Sequence, residues 1–146
     1  MLKYLYLIPF LLIAQIETQV RDDDPSLFTN QRIYHAPPKP LFTGRSHTLD
    51  FITNIPKDSV ESATIFFKTD SMQYYQEFLL EGRHGHYNFK YDPNIYPGTR
   101  LQYYFVIKSK TNIYGTPIND KGELTPVNKL LIDPVQYFKQ RSRLNQ

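Results

Sequence analysis

Period-two alternation of apolar and polar residues runs through the chain from about residue 41 to about residue 132. The longest case is residues 100–108. Leu101, Tyr103, Phe105 and Ile107 fall on one face, and Arg100, Gln102, Tyr104, Val106 and Lys108 fall on the other. One face is wholly apolar and the other mixed, which predicts the central strand of a sheet with one buried side. Pro97-Gly98 precedes it and suits the two central positions of a type II turn. Residues 86–91 alternate more cleanly still, with Tyr87, Phe89 and Tyr91 opposed to His86, Asn88 and Lys90.

The same period sets Leu49, Phe51 and Thr53 inward over residues 47–53, and Ala63, Ile65 and Phe67 inward over residues 62–69. Residues 41–43, 74–80 and 127–132 complete seven strand-like segments. Turn residues separate them at Gly44, Asn54 to Ser59, Asp70-Ser71, Glu81 to Gly85 and Asp92 to Asn94. No window of helical length in this region carries a convincing 3.6-residue period. Short strands at a spacing of roughly 8–12 residues predict an all-β sandwich or barrel. Residues 112–126 are long for a hairpin connection and read as a functional loop or a short extra hairpin.

The flanks differ. Lys3 followed by an uncharged run of about ten residues, ending near Ala14, fits a secretory signal peptide and is too short to span a bilayer. The expected organisation is a signal peptide over 1–14, with cleavage as late as 20, and an extended arm over 15–39. The sandwich follows over 40–134, and a basic helical or frayed tail over 135–146. Pro37, Pro38 and Pro40 suit an extended lead-in to an edge strand, because proline cannot donate to a ladder. Pro134 suits a helix opening. In the tail, Val135, Phe138 and Leu144 can line one side, with Lys139, Arg141 and Arg143 elsewhere.

The chain contains no cysteine, so disulfides, thiolate metal sites and a cysteine nucleophile are excluded. An exported domain of this kind rests on its apolar core alone. Twelve Tyr and ten Phe with no Trp predict an interior filled by rings.

From about His35 to Pro134 the chain resembles the immunoglobulin-like and fibronectin type III-like modules of exported bacterial proteins. The resemblance rests on His35-Ala36-Pro37-Pro38 before Gly44 and a first alternating strand. It rests also on residues 63–68 with Tyr75 and Tyr87, and on Pro97-Gly98-Thr99 before residues 101–106 with Tyr114-Gly115 after them. The type III modules carry an inward Trp on the second strand, which this chain lacks. The resemblance implies an antiparallel immunoglobulin-like β-sandwich of about seven strands serving as an accessory or interaction module.

Candidate chemistry is sparse. His84 and His86, two apart, would share a strand face and are the candidate metal ligands, but spacing supplies no third ligand. Ser46, His47 and Asp50 are close in sequence, yet Ser46 and His47 would point to opposite faces of a strand. Glu77 and Glu81 are the carboxylate pair to watch for glycosidase work. Tyr74, Tyr75, Tyr104 and Tyr114, with Tyr137, are not all required inward. They are the candidate binding residues, as an aromatic row that stacks on sugar or on a partner's apolar patch, or else as cross-strand packing. The chain is mildly basic at +3. Export disfavours nucleic acid, and acidic glycans, anionic lipid or acidic proteins fit better.

The expectation is a non-catalytic exported module, periplasmic, secreted or at the cell envelope. It would bind an envelope protein or a polysaccharide without a cofactor, and meet a membrane only if the signal segment is retained. The alternatives are a carbohydrate-binding module using exposed tyrosines, and a small metal-dependent hydrolase.

Overall fold

The computed structural model describes residues 32–144, so the expected signal peptide and most of the expected arm lie outside the described residues. Nine strands and one α-helix follow in order, with a single 3₁₀ turn (Lys57–Ser59) between the third and fourth strands. They are β1 (Ile33–Tyr34), β2 (Leu41–Phe42), β3 (His47–Thr53), β4 (Val60–Thr69), β5 (Gln76–Leu79), β6 (His86–Tyr91), β7 (Arg100–Ser109), β8 (Ile113–Thr116), β9 (Val127–Ile132) and α1 (Pro134–Leu144).

Two sheets face each other. One is ordered β1-β3-β6, and the other is ordered β2-β9-β7-β4-β5 with β8 also on β7. All seven expected strands form. The two additional strands are short. β1 falls within the stretch read as an arm, where Ile33 pairs with Thr53 and is buried. β8 lies within residues 112–126, where Val106 pairs with Gly115 and Ile118 bridges Leu124. That stretch is the extra hairpin and not an open loop. The sandwich is antiparallel except at one edge, where β2 pairs with β9 in parallel.

β7 is the central strand. It pairs with β4 from Leu101–Thr69 to Ser109–Val60, and with β9 and β8 on its other side. Leu101, Tyr103, Phe105 and Ile107 are all fully buried. Each such side chain contributes about 1.5–3 kcal/mol relative to an exposed one. The sheets are joined by rings, because alternation on β3, β6 and β7 aims aromatics at the same interlayer space. Phe51 stacks on Phe105 at 4.4 Å, and His35 stacks on the other side of Phe51 at 4.3 Å. Phe67 of one sheet meets Phe89 of the other at 4.9 Å. The helix opens at Pro134 with Asp133 as its cap, its Oδ1 accepting from the Val135 N–H at 2.8 Å. Tyr137 and Phe138 then rest on Phe42, with centroids 5.5 and 5.8 Å away.

Pro97-Gly98 does not form the expected type II turn. Gly98 has φ 159°, close to extended, where a type II turn requires about +80°. Glycine is needed here for room. A Cβ would lie 2.6 Å from Asp70 Oδ1 and 2.6 Å from Thr69 Cβ. The space lets one carboxylate organise the corner. Asp70 Oδ1 accepts from the backbone N–H of Thr99 at 2.7 Å and of Arg100 at 3.1 Å, and Oδ2 accepts from the Thr99 hydroxyl at 2.5 Å. Thr69 and Ser71 hydroxyls donate to the Pro97 carbonyl.

His35 ties β1 and the proline-rich lead-in to the core. Its Nδ1 lies 2.6 Å from the Asp50 carbonyl, which can only accept, so Nδ1 carries the proton. Nε2, 2.8 Å from the Tyr103 hydroxyl, is therefore the acceptor that satisfies that buried group in the neutral ring.

Two pH effects follow. The Thr99 hydroxyl, then the Arg100 and Thr99 amides, hold the Asp70 carboxyl down at about 2 from 3.8. Its stabilisation is complete above about pH 3.8 and is lost as pH falls through about 2. Asp70→Asn should lower stability at neutral pH by roughly 1 kcal/mol, below the usual ~1.5–3 kcal/mol for a charged acceptor because the site is open to solvent. Its thermal midpoint should also fall less than that of the parent between about pH 4 and about pH 2. Parallel melting curves for the two proteins would refute this role. For His35, burial lowers the pKa below 6.5, against the opposing pull of the Asp50 carbonyl and carboxylate and with a smaller push from Lys129. The unfolded chain therefore takes up the proton first, and stability declines as pH drops below 6.5. Urea midpoints at about pH 7.5 and about pH 5.5 should differ less in His35→Phe than in the parent, and an unchanged difference would remove His35 as the cause.

Candidate functional site

The outward face of the larger sheet follows from the register. On β4, Phe66 and Lys68 alternate with buried Ile65, Phe67 and Thr69. On β7, Tyr104 and Gln102 alternate with buried Tyr103 and Phe105. Pairing places Phe66 opposite Tyr104 and Lys68 opposite Gln102. Glu77 of β5 pairs with Phe66, and Leu130 of β9 pairs with Arg100, which extends this face to both sides.

Its centre is an aromatic cluster. Phe66 and Tyr104 stack at 4.9 Å with 15° between planes, and Tyr75 sits edge-on to Tyr104 at 5.3 Å. The Lys68 ammonium lies 5.0 Å from the centre of the Tyr75 ring, in cation–π contact. The Tyr75 hydroxyl reaches Gln102 Oε1 at 3.4 Å. All five side chains are half-buried. Partial burial raises the pKa of the Tyr75 and Tyr104 phenols, with Tyr104 adding to the first and Glu77 to the second. Both are neutral amphipathic groups at ordinary pH. Leu79, on the outward parity of β5, and Tyr74, next to Tyr75 in sequence, are 73% and 72% exposed.

Of the four tyrosines picked from sequence, Tyr75 and Tyr104 are therefore together and Tyr74 is adjacent to Tyr75 in the chain. Tyr114 is not part of an exposed row. It is 7% exposed on β8, paired with Ile107 and capped by Arg32, whose guanidinium carbon is 5.7 Å from the ring centre. Tyr137 packs on Phe42 at the opposite edge of the sheet. Phe66, Lys68 and Gln102 were missed as site residues. Each was visible as an outward position, but only the β4–β7 register brings them to Tyr104.

The histidine pair is rearranged by its turn. His84 and Gly85 occupy the centre of a two-residue hairpin with φ 53° and 76°, closed by Arg83 and His86. His84 is thus off the strand, and the same-face geometry expected of residues two apart does not arise. His86 instead meets Asp50 at 3.1 Å. Gly85 is required twice over, by its positive φ and because a Cβ would lie 2.4 Å from the Thr53 carbonyl oxygen. His47 does not join Ser46 and Asp50 either, because its Nε2 lies 2.9 and 3.0 Å from the backbone nitrogen and oxygen of Phe42. Glu77 and Glu81 are both exposed. Among the described residues no three His, Cys, Asp or Glu side chains converge as a metal site would need, and no helix is long and apolar enough to cross a membrane.

Comparison with protein-family models and with curated proteins finds no match. Among solved structures the chain is similar to the endo-β-1,4-mannanase of Thermotoga petrophila, at 9% identity and a TM-score of 0.49 over 72% of this chain. The match spans 20% of that enzyme, so the chain corresponds to about a fifth of its length.

Proposed function

We propose that this is a non-catalytic immunoglobulin-like interaction module, exported to the cell envelope or beyond, which docks a protein partner on the outward face of its larger sheet. The immunoglobulin-like reading is supported by the chain path. It crosses from β3 to β4, from β5 to β6 and from β6 to β7, so the two sheets are built by alternation between layers. The non-catalytic reading is supported by the occupation of its titratable groups, since His35, His47 and Asp70 all serve backbone or core hydrogen bonds.

The observation that carries the docking face is the half-buried Phe66–Tyr104–Tyr75 cluster, together with the exposed Leu79 and Tyr74. Clustered aromatics with polar tips are the anchor type of protein interfaces. Ring geometry favours a protein over a sugar. Carbohydrate stacking uses open ring faces, and Phe66 takes one face of Tyr104 and Lys68 one face of Tyr75, which leaves fewer for a sugar.

Affinity capture from an envelope fraction with the intact chain, quantified by mass spectrometry, tests the face. Tyr104→Ala combined with Tyr75→Ala should reduce recovery of the main partner by at least about tenfold, the loss of one or two interface anchors. Melting should shift by only a few degrees, as for partly exposed residues. Undiminished recovery refutes the face. Glycan-array binding by the parent that disappears in the double variant would replace the protein partner with a sugar.

A further inference from the structure

A second surface lies at the opposite edge of the larger sheet, and its origin is a ladder that proline cannot continue. β2 runs parallel to β9 with Leu41 beside Leu131 and Phe42 beside Ile132. Extending that register backward would set Pro40 beside Leu130 and Pro38 beside Asn128. Neither proline has an N–H to donate, and the strand pairing stops at Leu41. Val127 to Leu130 are paired to β7 on one side and, among the described residues, to no strand on the other. The gap between the two segments is a groove of about 400 Å³, within the range that holds small ligands or a few side chains.

Its wall is apolar, with Pro38, Pro40, Leu130 and Tyr137 lining it, and Lys39 and Lys129 are its charged residues. A smaller recess of about 270 Å³ continues past Lys129 and adds Arg100. Neither recess is lined by a carboxylate. The exposed Leu130 side chain, 58% accessible, sits where the two meet.

We propose that this groove binds a short extended peptide carrying acidic and apolar side chains, added as a strand along the free edge of β9. The unpartnered edge presents backbone donors and acceptors in a row, which an extended peptide can pair and a lipid chain cannot. Lys39 and Lys129 attract acidic side chains, and the wall of Pro38, Pro40, Leu130 and Tyr137 takes apolar ones. The open edge of β9 faces away from β7, which carries Tyr104, so failure of the peptide to bind there would leave that reading untouched.

Fluorescence anisotropy with the intact chain and a labelled alternating Asp–Val heptapeptide tests it. The matched Lys–Val peptide and an Asp–Val peptide N-methylated at alternate residues serve as controls. The Asp–Val peptide should bind, the Lys–Val peptide should not, and N-methylation should weaken binding at least about tenfold by removing main-chain donors. Lys129→Glu and Lys39→Glu should each weaken it by about tenfold, with a steep loss on adding salt. Amide shifts in a ¹⁵N-labelled sample should concentrate on Asn128 to Ile132, and this also confirms that each variant is folded. Equal binding of both charge types, indifference to N-methylation, or shifts centred on Tyr104 would each overturn the proposal. So would binding of anionic phosphatidylglycerol vesicles at the groove without binding of the peptide, or self-association of the chain through the β9 edge that excludes it.

Discussion

The pairing of β7 with β4 is the contact on which the rest of this molecule depends. It is the longest ladder in the structure, and it fixes two surfaces at once. On the inner side it lines up Leu101, Tyr103, Phe105 and Ile107 with Ala63, Ile65 and Phe67 to form the floor of the core. On the outer side it sets Phe66 against Tyr104. A slip of one residue would reverse both, turning the apolar set to solvent and the mixed set inward. With no disulfide to hold the layers, ring-to-ring contact across the two sheets carries the cohesion, and it requires that register.

The polar groups near this core serve its corners and edges. Asp70 gathers two amides and a hydroxyl where β7 begins, and the absence of a side chain at Gly98 allows the carboxylate to approach. His35 satisfies the one hydroxyl that β7 buries at its centre, while its ring extends the Phe51–Phe105 stack. The Tyr91 hydroxyl donates to the Tyr96 carbonyl at 2.8 Å and closes the corner between β6 and β7. Buried polar atoms cost stability unless paired, and among the described residues none of the buried side-chain nitrogen or oxygen atoms lacks a partner.

The two surfaces proposed for docking are the sheet's outer face and its β9 edge. The two differ in physical character. The first is a set of aromatics already packed on one another, so it offers a preorganised surface with little side-chain entropy left to lose. The second is an incomplete ladder beside a basic, apolar cleft, so it offers main-chain hydrogen bonds and charge. Both arise from the same sheet, at places where pairing supplies neighbours on one side and leaves the other open.

The sequence by itself determined the strands and their faces. Alternation at period two is enforced by backbone geometry within each strand, so Leu49, Phe51, Tyr87, Phe89, Tyr103 and Phe105 were legible as inward without knowing their neighbours. The strands it did not place are the short β1 and β8, and it left the direction of β2 open. Ile33–Tyr34 and Leu41–Phe42 have two residues each, so neither the sheet position of β1 nor the parallel direction of β2 could be read from a period. Site residues were harder for the same reason. The exposure of Tyr114 depends on β8 lying against β7, and the separation of His84 from His86 depends on a hairpin whose strands must first be paired. Only tertiary structure decided which outward side chains became neighbours, because a strand's own geometry says which way a residue faces but not what stands beside it.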